Sequence, residues 1–511
     1  MPSPAFSPRF TCVLVAGLAL PGIASAATLT VGPGKMYSKV SDAIAAAKSG
    51  DTIEIDAGEY VDDTAKITVG DLTIRGVGGR PHLKATLPPP NQKGIFAIDV
   101  GVGPVTVENI EFSGAQIPEN LGNNAAGIRA QGTDLRVKNC YFHDNQNGIL
   151  ASDGLMTVEY SEFAYNGYAG YEHNIYVGTA PKFVFRGNYS HHAKSGHAVK
   201  SRALENHIEY NRLMEEADGT GSALIDLPQG GLSYVIGNLI EKGPMAENKN
   251  RVIYYKGEGQ TNPDLRLFVS HNTFVNDGSP GVVFVDVRAG TDATVVNNLF
   301  VGMGTPINLV DPMTKLTDMG NLQTDMPGLV DRAGYDYHLV MESPAIGVGV
   351  AVAPELVPMW HYEHPTTLEP RPVVDAPDVG AYEFGDAPVD STGGDMTTSG
   401  GDTTTTGASD TTPGSSSEVD VTGESSAGSG SDSAGVTDGG SGGAATTDAG
   451  ATGGSSGVGS DGASGTDGTP GDDGCSCHTA PTSPGWALLG LGGLLLRRRR
   501  PATAARTAPR R

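Results

Sequence analysis

One six-residue pattern recurs through the middle of the chain and limits what it can fold into. It reads VENIEF at 107, VKNCYF at 137, VEYSEF at 158, FRGNYS at 185, IEYNRL at 208, VIGNLI at 235, VSHNTF at 269 and VVNNLF at 295. Successive copies lie 21 to 34 residues apart. The first position is always apolar, and the sixth is apolar in all but FRGNYS. The fourth position reads Ile110, Cys140, Ser161, Asn188, Asn211, Asn238, Asn272, Asn298. Five asparagines at one turn position predict a stacked ladder in which each amide bonds the next. Between the copies lie further short alternating runs, such as NGILAS, AVKSR, ALIDLP and VIYYKG, and helix-period segments are nearly absent after residue 50. Short strands at this period, without long helices between them, predict an all-β fold, a parallel β-solenoid. A β-sandwich would not repeat an Asn turn so regularly.

The ends of the chain are different material. Arg9, an apolar run and the small residues ASA read as a secretory signal ending at Ala26. Residues 386–473 are Gly, Ser, Thr and Asp, with too little apolar surface to fold, and read as a disordered, extended stalk. Residues 474–511 hold GCSC, a short apolar run and RRRR. The run is about half the ~20 residues a stable membrane span needs, which suggests a transient sorting signal. The arrangement resembles the MYXO-CTERM sorting signal of myxobacterial surface proteins. That resemblance implies processing at Cys475 or Cys477 by membrane sorting machinery and anchoring at the outer cell surface. With Cys12 in the leader, only Cys140 remains in the body, so no intrachain disulfide framework is available.

The body, residues 27–385, is acidic within a chain of net charge −24. Nucleic acid is thereby excluded as an expected partner, and a monomer is expected. The opening TVGPGKMYSKVSDAIAAAKSGDTIEIDAGEY, the following LTIRG, the rungs and the closing SPAIGVGV and PDVGAYEF resemble the right-handed parallel β-helix proteins of the pectate-lyase-like superfamily. The resemblance implies a right-handed coil over roughly residues 28–384, with a helix at about Ser38–Lys48 capping the first rung. It leaves activity open, because such coils serve as lyases, hydrolases, epimerases and adhesins. Cys140, on the turn column, reads as a packed core thiol.

Alternation aligns the outward residues of successive rungs. One column is Arg129, Leu150, Tyr176, Lys200, Asp226, Tyr254, and beside it run Arg202 and Lys256. Three residues before the first column lie His173, His197 and Arg251. Five of the chain's twelve histidines fall between 173 and 207. Long turns precede His173 and Arg251, and the first of them carries Tyr165, Tyr168 and Tyr171, which can stack on sugar faces. Cross-strand pairs of this kind can also simply stabilise a sheet. The coincidence of cations, histidines and tyrosines favours a binding patch for an acidic polysaccharide, with Arg129, Asp226, Arg251, Lys256, Tyr168 and Tyr171 as contact residues.

β-Elimination of a uronate polymer needs a neutralised carboxylate, a base for the adjacent proton and a donor for the leaving oxygen. Arg202 or Arg251 is the candidate for the carboxylate. Lys200, surrounded by cations, is the first candidate base, and His197 and His173 compete with it. Tyr176 or Tyr254 is the candidate donor. Calcium is a cofactor the resemblance allows, with Glu172 and Asp226 as the available ligands, and HNIY and HHAKSGH raise a histidine metal site as well. The alternatives are a C5-epimerase, a glycoside hydrolase and a non-catalytic glycan-binding adhesin. A hydrolase needs two carboxyl groups roughly 5–9.5 Å apart. Asp286, the nearest outward acid to Asp226, stands two rungs away, at about 10 Å.

Overall fold

The computed structural model describes residues 26–385, apart from Ala169, Gln260, Ala289, Pro312, Val373 and Asp375. Residues 1–25 of the expected leader, the Gly/Ser/Thr/Asp-rich segment, and Cys475 and Cys477 lie outside the described residues. Among those described, three long parallel sheets dominate: sheet A with 12 strands, sheet B with 11 and sheet C with 10. Each rung visits A, then B, then C. Leu135–Lys138, Tyr141–His143 and Asn147–Ser152 form one rung, and Met156–Glu159, Glu162–Ala164 and Ile175–Val177 form the next. The rungs stack in register, Val137 on Val158 and Phe142 on Phe163.

The six-residue repeat is the corner between A and B. Its first two residues end an A strand, its last two begin a B strand, and a two-residue turn joins them. The first turn residue has positive φ throughout: Asn109, Asn139, Tyr160, Gly187, Tyr210, Gly237, His271 and Asn297. Glycine at 187 and 237 takes this conformation without steric cost, whereas tyrosine and histidine must be held there by the stack. The second turn residue points inward and forms the predicted ladder. Each Nδ2 donates to the next Oδ1, from Asn188 through Asn211, Asn238 and Asn272 to Asn298, at 2.9–3.1 Å. Asn321 extends it by one rung at 2.9 Å. Cys140 occupies the same column as a buried, unbridged thiol. Burial pushes its pKa up to about 12, so it is a packing group. Inside the coil, Phe112, Phe142 and Phe163 stack with ring centroids 5.0 and 4.9 Å apart.

The short helix Val40–Ala46 turns Val40, Ala43 and Ile44 into the same apolar core as Val31 and Ile53. At the other end the coil stops with Leu322–Thr324, and the chain then makes two antiparallel hairpins instead of further rungs. This terminal segment folds back along the coil. Tyr337, Leu339, Tyr362, Val379 and Tyr382 bury the outward Tyr189, Met214, Leu239, Val275 and Leu299 of sheet B. Leu356 packs on the turn residue Tyr210 and on Ile236 and Val296 of sheet A. Buried Arg371 ties the segment together, pairing with Glu383 at 2.7 Å and donating to the carbonyls of Gly380 and Ala381. Neither apolar cluster includes a residue of sheet C.

Candidate functional site

The outward column predicted from alternation is a continuous row on sheet C. Arg129 pairs with Leu150, Leu150 with Tyr176, Tyr176 with Lys200, Lys200 with Asp226 and Asp226 with Tyr254. Asp286 and Asn308 continue it. His173 and His197 stand at one margin with rings stacked 4.9 Å apart, and the His173 ring meets Tyr176 edge-on at 5.6 Å. The exposed Tyr168 and Tyr171, 67 % and 63 % accessible, lie on the loop leading to His173.

The cations of this patch are paired within the chain, which corrects two expectations. Arg202 is not a free fork for a substrate carboxylate. Its Nε donates to Glu258 Oε2 at 3.0 Å, Nη2 to Glu258 Oε1, and Nη1 to the Tyr176 phenol oxygen. Lys200 does not face a crowd of cations, because its Nζ lies 3.3 Å from Asp226 Oδ2. Arg251 is the more open guanidinium. Its Nε donates to Asp286 at 2.9 Å, its plane covers the Tyr254 ring at 4.2 Å, and its terminal nitrogens hold no hydrogen bond among the described residues. Arg288 covers Tyr254 at 5.2 Å and shares Asp286. Arg129 is buried and donates to Asn124, so it braces a loop. Lys256 ends its strand half-buried, in a positive-φ turn.

The two histidines differ in what they have left to offer. His173 Nδ1 accepts the His197 backbone N–H at 3.0 Å, so its lone pair is used and its proton sits on Nε2. Burial, reinforced by His197 and Lys200, holds it well below its usual pKa. It is therefore a fixed neutral group and not a base. His197 donates Nδ1–H to the Ala223 carbonyl at 3.0 Å, which leaves its lone pair on Nε2, 3.3 Å from Asp226 Oδ2. Burial lowers its pKa against the pull of Asp226. Asp226 is almost wholly buried, and its Oδ1 has no hydrogen-bond partner. An incompletely satisfied buried carboxylate beside a neutral imidazole marks a site whose ligand completes it.

The calcium expectation finds no such support. Glu172 is buried and accepts from Asn123 at 3.1 Å, and neither it nor Asp226 belongs to a cluster of three convergent metal-ligand groups among the described residues. Two of the three histidines of HHAKSGH do cluster, His191 and His192 with Glu216, at the sheet B side, while His197 does not join them. Sheet B also bears a cavity of about 350 Å³ lined by Glu216, Glu241, Asp277, Arg332 and Tyr335. Sequence reasoning missed Glu258, which reaches Arg202 from a loop with no periodic signal. It also missed the sheet B face, although the fifth position of the repeat (Glu111, Tyr141, Glu162, Tyr189, Arg212) is one outward column of that face.

Residues 57–240 match the family described as a right-handed beta helix region. The three parallel sheets and this match define a right-handed parallel β-helix protein. Among solved structures, the chain is similar to pectate lyase Pel9A, at 15 % identity and TM-score 0.46, over 71 % of this chain and 98 % of that one. It is similar to the Dettilon tailspike protein at 13 % identity and TM-score 0.34, over 53 % and 65 %. A third similar structure is the pectin methylesterase PemA from Erwinia chrysanthemi, at 13 % and 0.29, over 61 % and 93 %. No curated protein sequence matches the chain.

Proposed function

We propose that the protein binds an acidic polysaccharide along the outer face of sheet C and cleaves it by β-elimination. The observation that carries this reading is His197, a half-buried imidazole with its proton committed to Ala223 and its lone pair beside Asp226. In this reading Nε2 removes the proton next to the uronate carboxyl group, and the Asp226 carboxylate stabilises the imidazolium that forms. The Arg251 terminal nitrogens and the Lys200 ammonium offset charge on the sugar carboxylate and the enolate it becomes. Tyr176 accepts from Arg202 and so keeps its O–H free to protonate the leaving oxygen. Tyr254 lies against the guanidinia of Arg251 and Arg288 and so holds them in place beside the row. Export, and anchoring through Cys475 or Cys477, belong to the same proposal and are tested by cell fractionation of a Cys475→Ser, Cys477→Ser variant.

The activity is tested by following the ultraviolet absorbance of unsaturated uronate ends on pectate, alginate and glycosaminoglycans, with and without calcium. A rise is expected with one of these polymers, and His197→Ala should lower kcat about 10²–10⁴-fold. Tyr176→Phe should lower kcat while leaving KM nearly unchanged. Retention of a polymer on a glycan array with no unsaturated product would replace this reading by the adhesin.

A further inference from the structure

The N-terminal half of the sheet B face carries a second constellation, on a different sheet from the column above. His82, Glu111 and His143 come from three successive rungs. His82 stacks on Glu111 in one outward column, while Ser113 stacks on His143 in the other. Three ligand atoms converge there. His82 Nδ1 lies 3.4 Å from Glu111 Oε1, and His143 Nε2 lies 3.1 Å from the same oxygen. All three atoms fall within 4.8 Å of one another.

The far nitrogen of each ring is already engaged. His143 Nδ1 meets Asp144 Oδ2 at 2.9 Å and its Nε2 meets Glu111 Oε1 at 3.1 Å. Carboxylates only accept, so without a metal both nitrogens donate, and a metal ion would displace the Nε2 proton while Asp144 keeps the one on Nδ1. Asp144 is held in turn by Lys194 at 3.0 Å. His82 Nε2 meets Ser113 Oγ at 2.6 Å. With Nε2–H donating there, the Nδ1 lone pair faces Glu111. The Tyr141 ring stacks on His143 at 4.5 Å and fixes its plane. Two imidazole nitrogens and a carboxylate oxygen thus converge on one place that a metal ion can take in exchange for the bridging proton. Backing of the rings by a carboxylate and a hydroxyl is the arrangement that orients histidine ligands.

The spacing selects the ion. Tetrahedral ligands at the ~2.0–2.1 Å of a zinc–nitrogen bond stand about 3.3–3.4 Å apart. The His82–Glu111 contact, at 3.4 Å, matches this edge, and the His143–Glu111 contact, at 3.1 Å, is slightly shorter. The neighbouring His191–His192 pair does not, because its Nδ1 atoms are 2.6 Å apart, a hydrogen bond between rings. Two imidazoles also argue against calcium, which takes oxygen ligands.

We propose that His82, Glu111 and His143 form a divalent transition-metal site of the zinc class, completed by solvent. The experiment uses the full chain carrying Cys475→Ser and Cys477→Ser, which removes the thiol donors of CSCH. Zinc titrated by calorimetry is expected to bind with one equivalent at this site, and cobalt should give visible ligand-field bands without a thiolate charge-transfer band. His143→Ala and Glu111→Gln should each abolish that equivalent, while Asp144→Asn weakens it about 10–100-fold. Circular dichroism of each variant checks that the coil persists. Absence of zinc binding, or binding that survives His143→Ala and is lost in His191→Ala, would overturn the proposal. Lyase activity on sheet C is not a readout here, so the two readings fail separately.

Discussion

Asn238→Leu is expected to lower the unfolding free energy by about 3–5 kcal/mol. The Asn238 side chain accepts from Asn211 N and Nδ2 at 2.9 and 3.0 Å, and donates to the Ile208 carbonyl at 2.8 Å and to Asn272 Oδ1 at 2.9 Å. Leucine matches its volume roughly but takes the acceptor from Asn211 N and from one of the two Asn211 Nδ2 hydrogens, the other staying on the Phe185 carbonyl, and removes a donor from the Ile208 and Asn272 oxygens. Each group left unmet costs roughly 1–3 kcal/mol. Asn321→Leu, at the half-buried end of the same ladder, leaves its partners closer to water and should cost about 1 kcal/mol. Urea unfolding of both variants measures the difference. Equal losses would mean that the ladder is not what holds the rungs in register.

The second large effect is a dependence on pH with an unusual sign. Glu241 is fully buried, its Oε2 accepts from Glu215 N and Glu216 N, and its Oε1 has no partner. Burial raises its pKa from 4.5 to about 8. Below the unfolded value both states keep the proton. Between 4.5 and 8 only the unfolded chain releases it. The contribution of Glu241 to stability therefore falls as pH rises across this window and levels off above it, by about 3 kcal/mol between pH 5 and 8. Buried histidines held below their usual pKa, such as His271 and His361, act in the opposite sense below about 6.5. Glu215, 2.9 Å from the buried Lys242, is also raised by burial, to about 7, and adds a slope of the same sign as Glu241. Glu241→Gln should flatten the profile and unfold later than the parent at pH 8. A melting temperature that rises in parallel for both proteins from pH 5 to 8 would refute the assignment.

The repeat, the inward positions and the outward column of sheet C were legible because alternation and the positive-φ corner impose one register on every rung. Asn321 was missed because its corner, DMGNLQ, opens on Asp318 where every other copy is apolar. The cations were legible as a column, but their partners were not. Glu258 sits 56 residues beyond Arg202 in an irregular loop, and nothing in local sequence encodes that pairing. His82 and His143 are likewise far apart in sequence, and they meet only because the rungs stack.

The terminal segment covers an apolar stripe that the coil alone cannot hide. Tyr189, Met214, Leu239, Val275 and Leu299 become outward-facing as soon as their rungs form, yet their cover comes from residues 337–382. A nascent chain that coils from its N-terminus thus carries a sticky seam until residue 382 has emerged. Chains interrupted before that point present the seam to one another, a route to aggregation that finished molecules do not share.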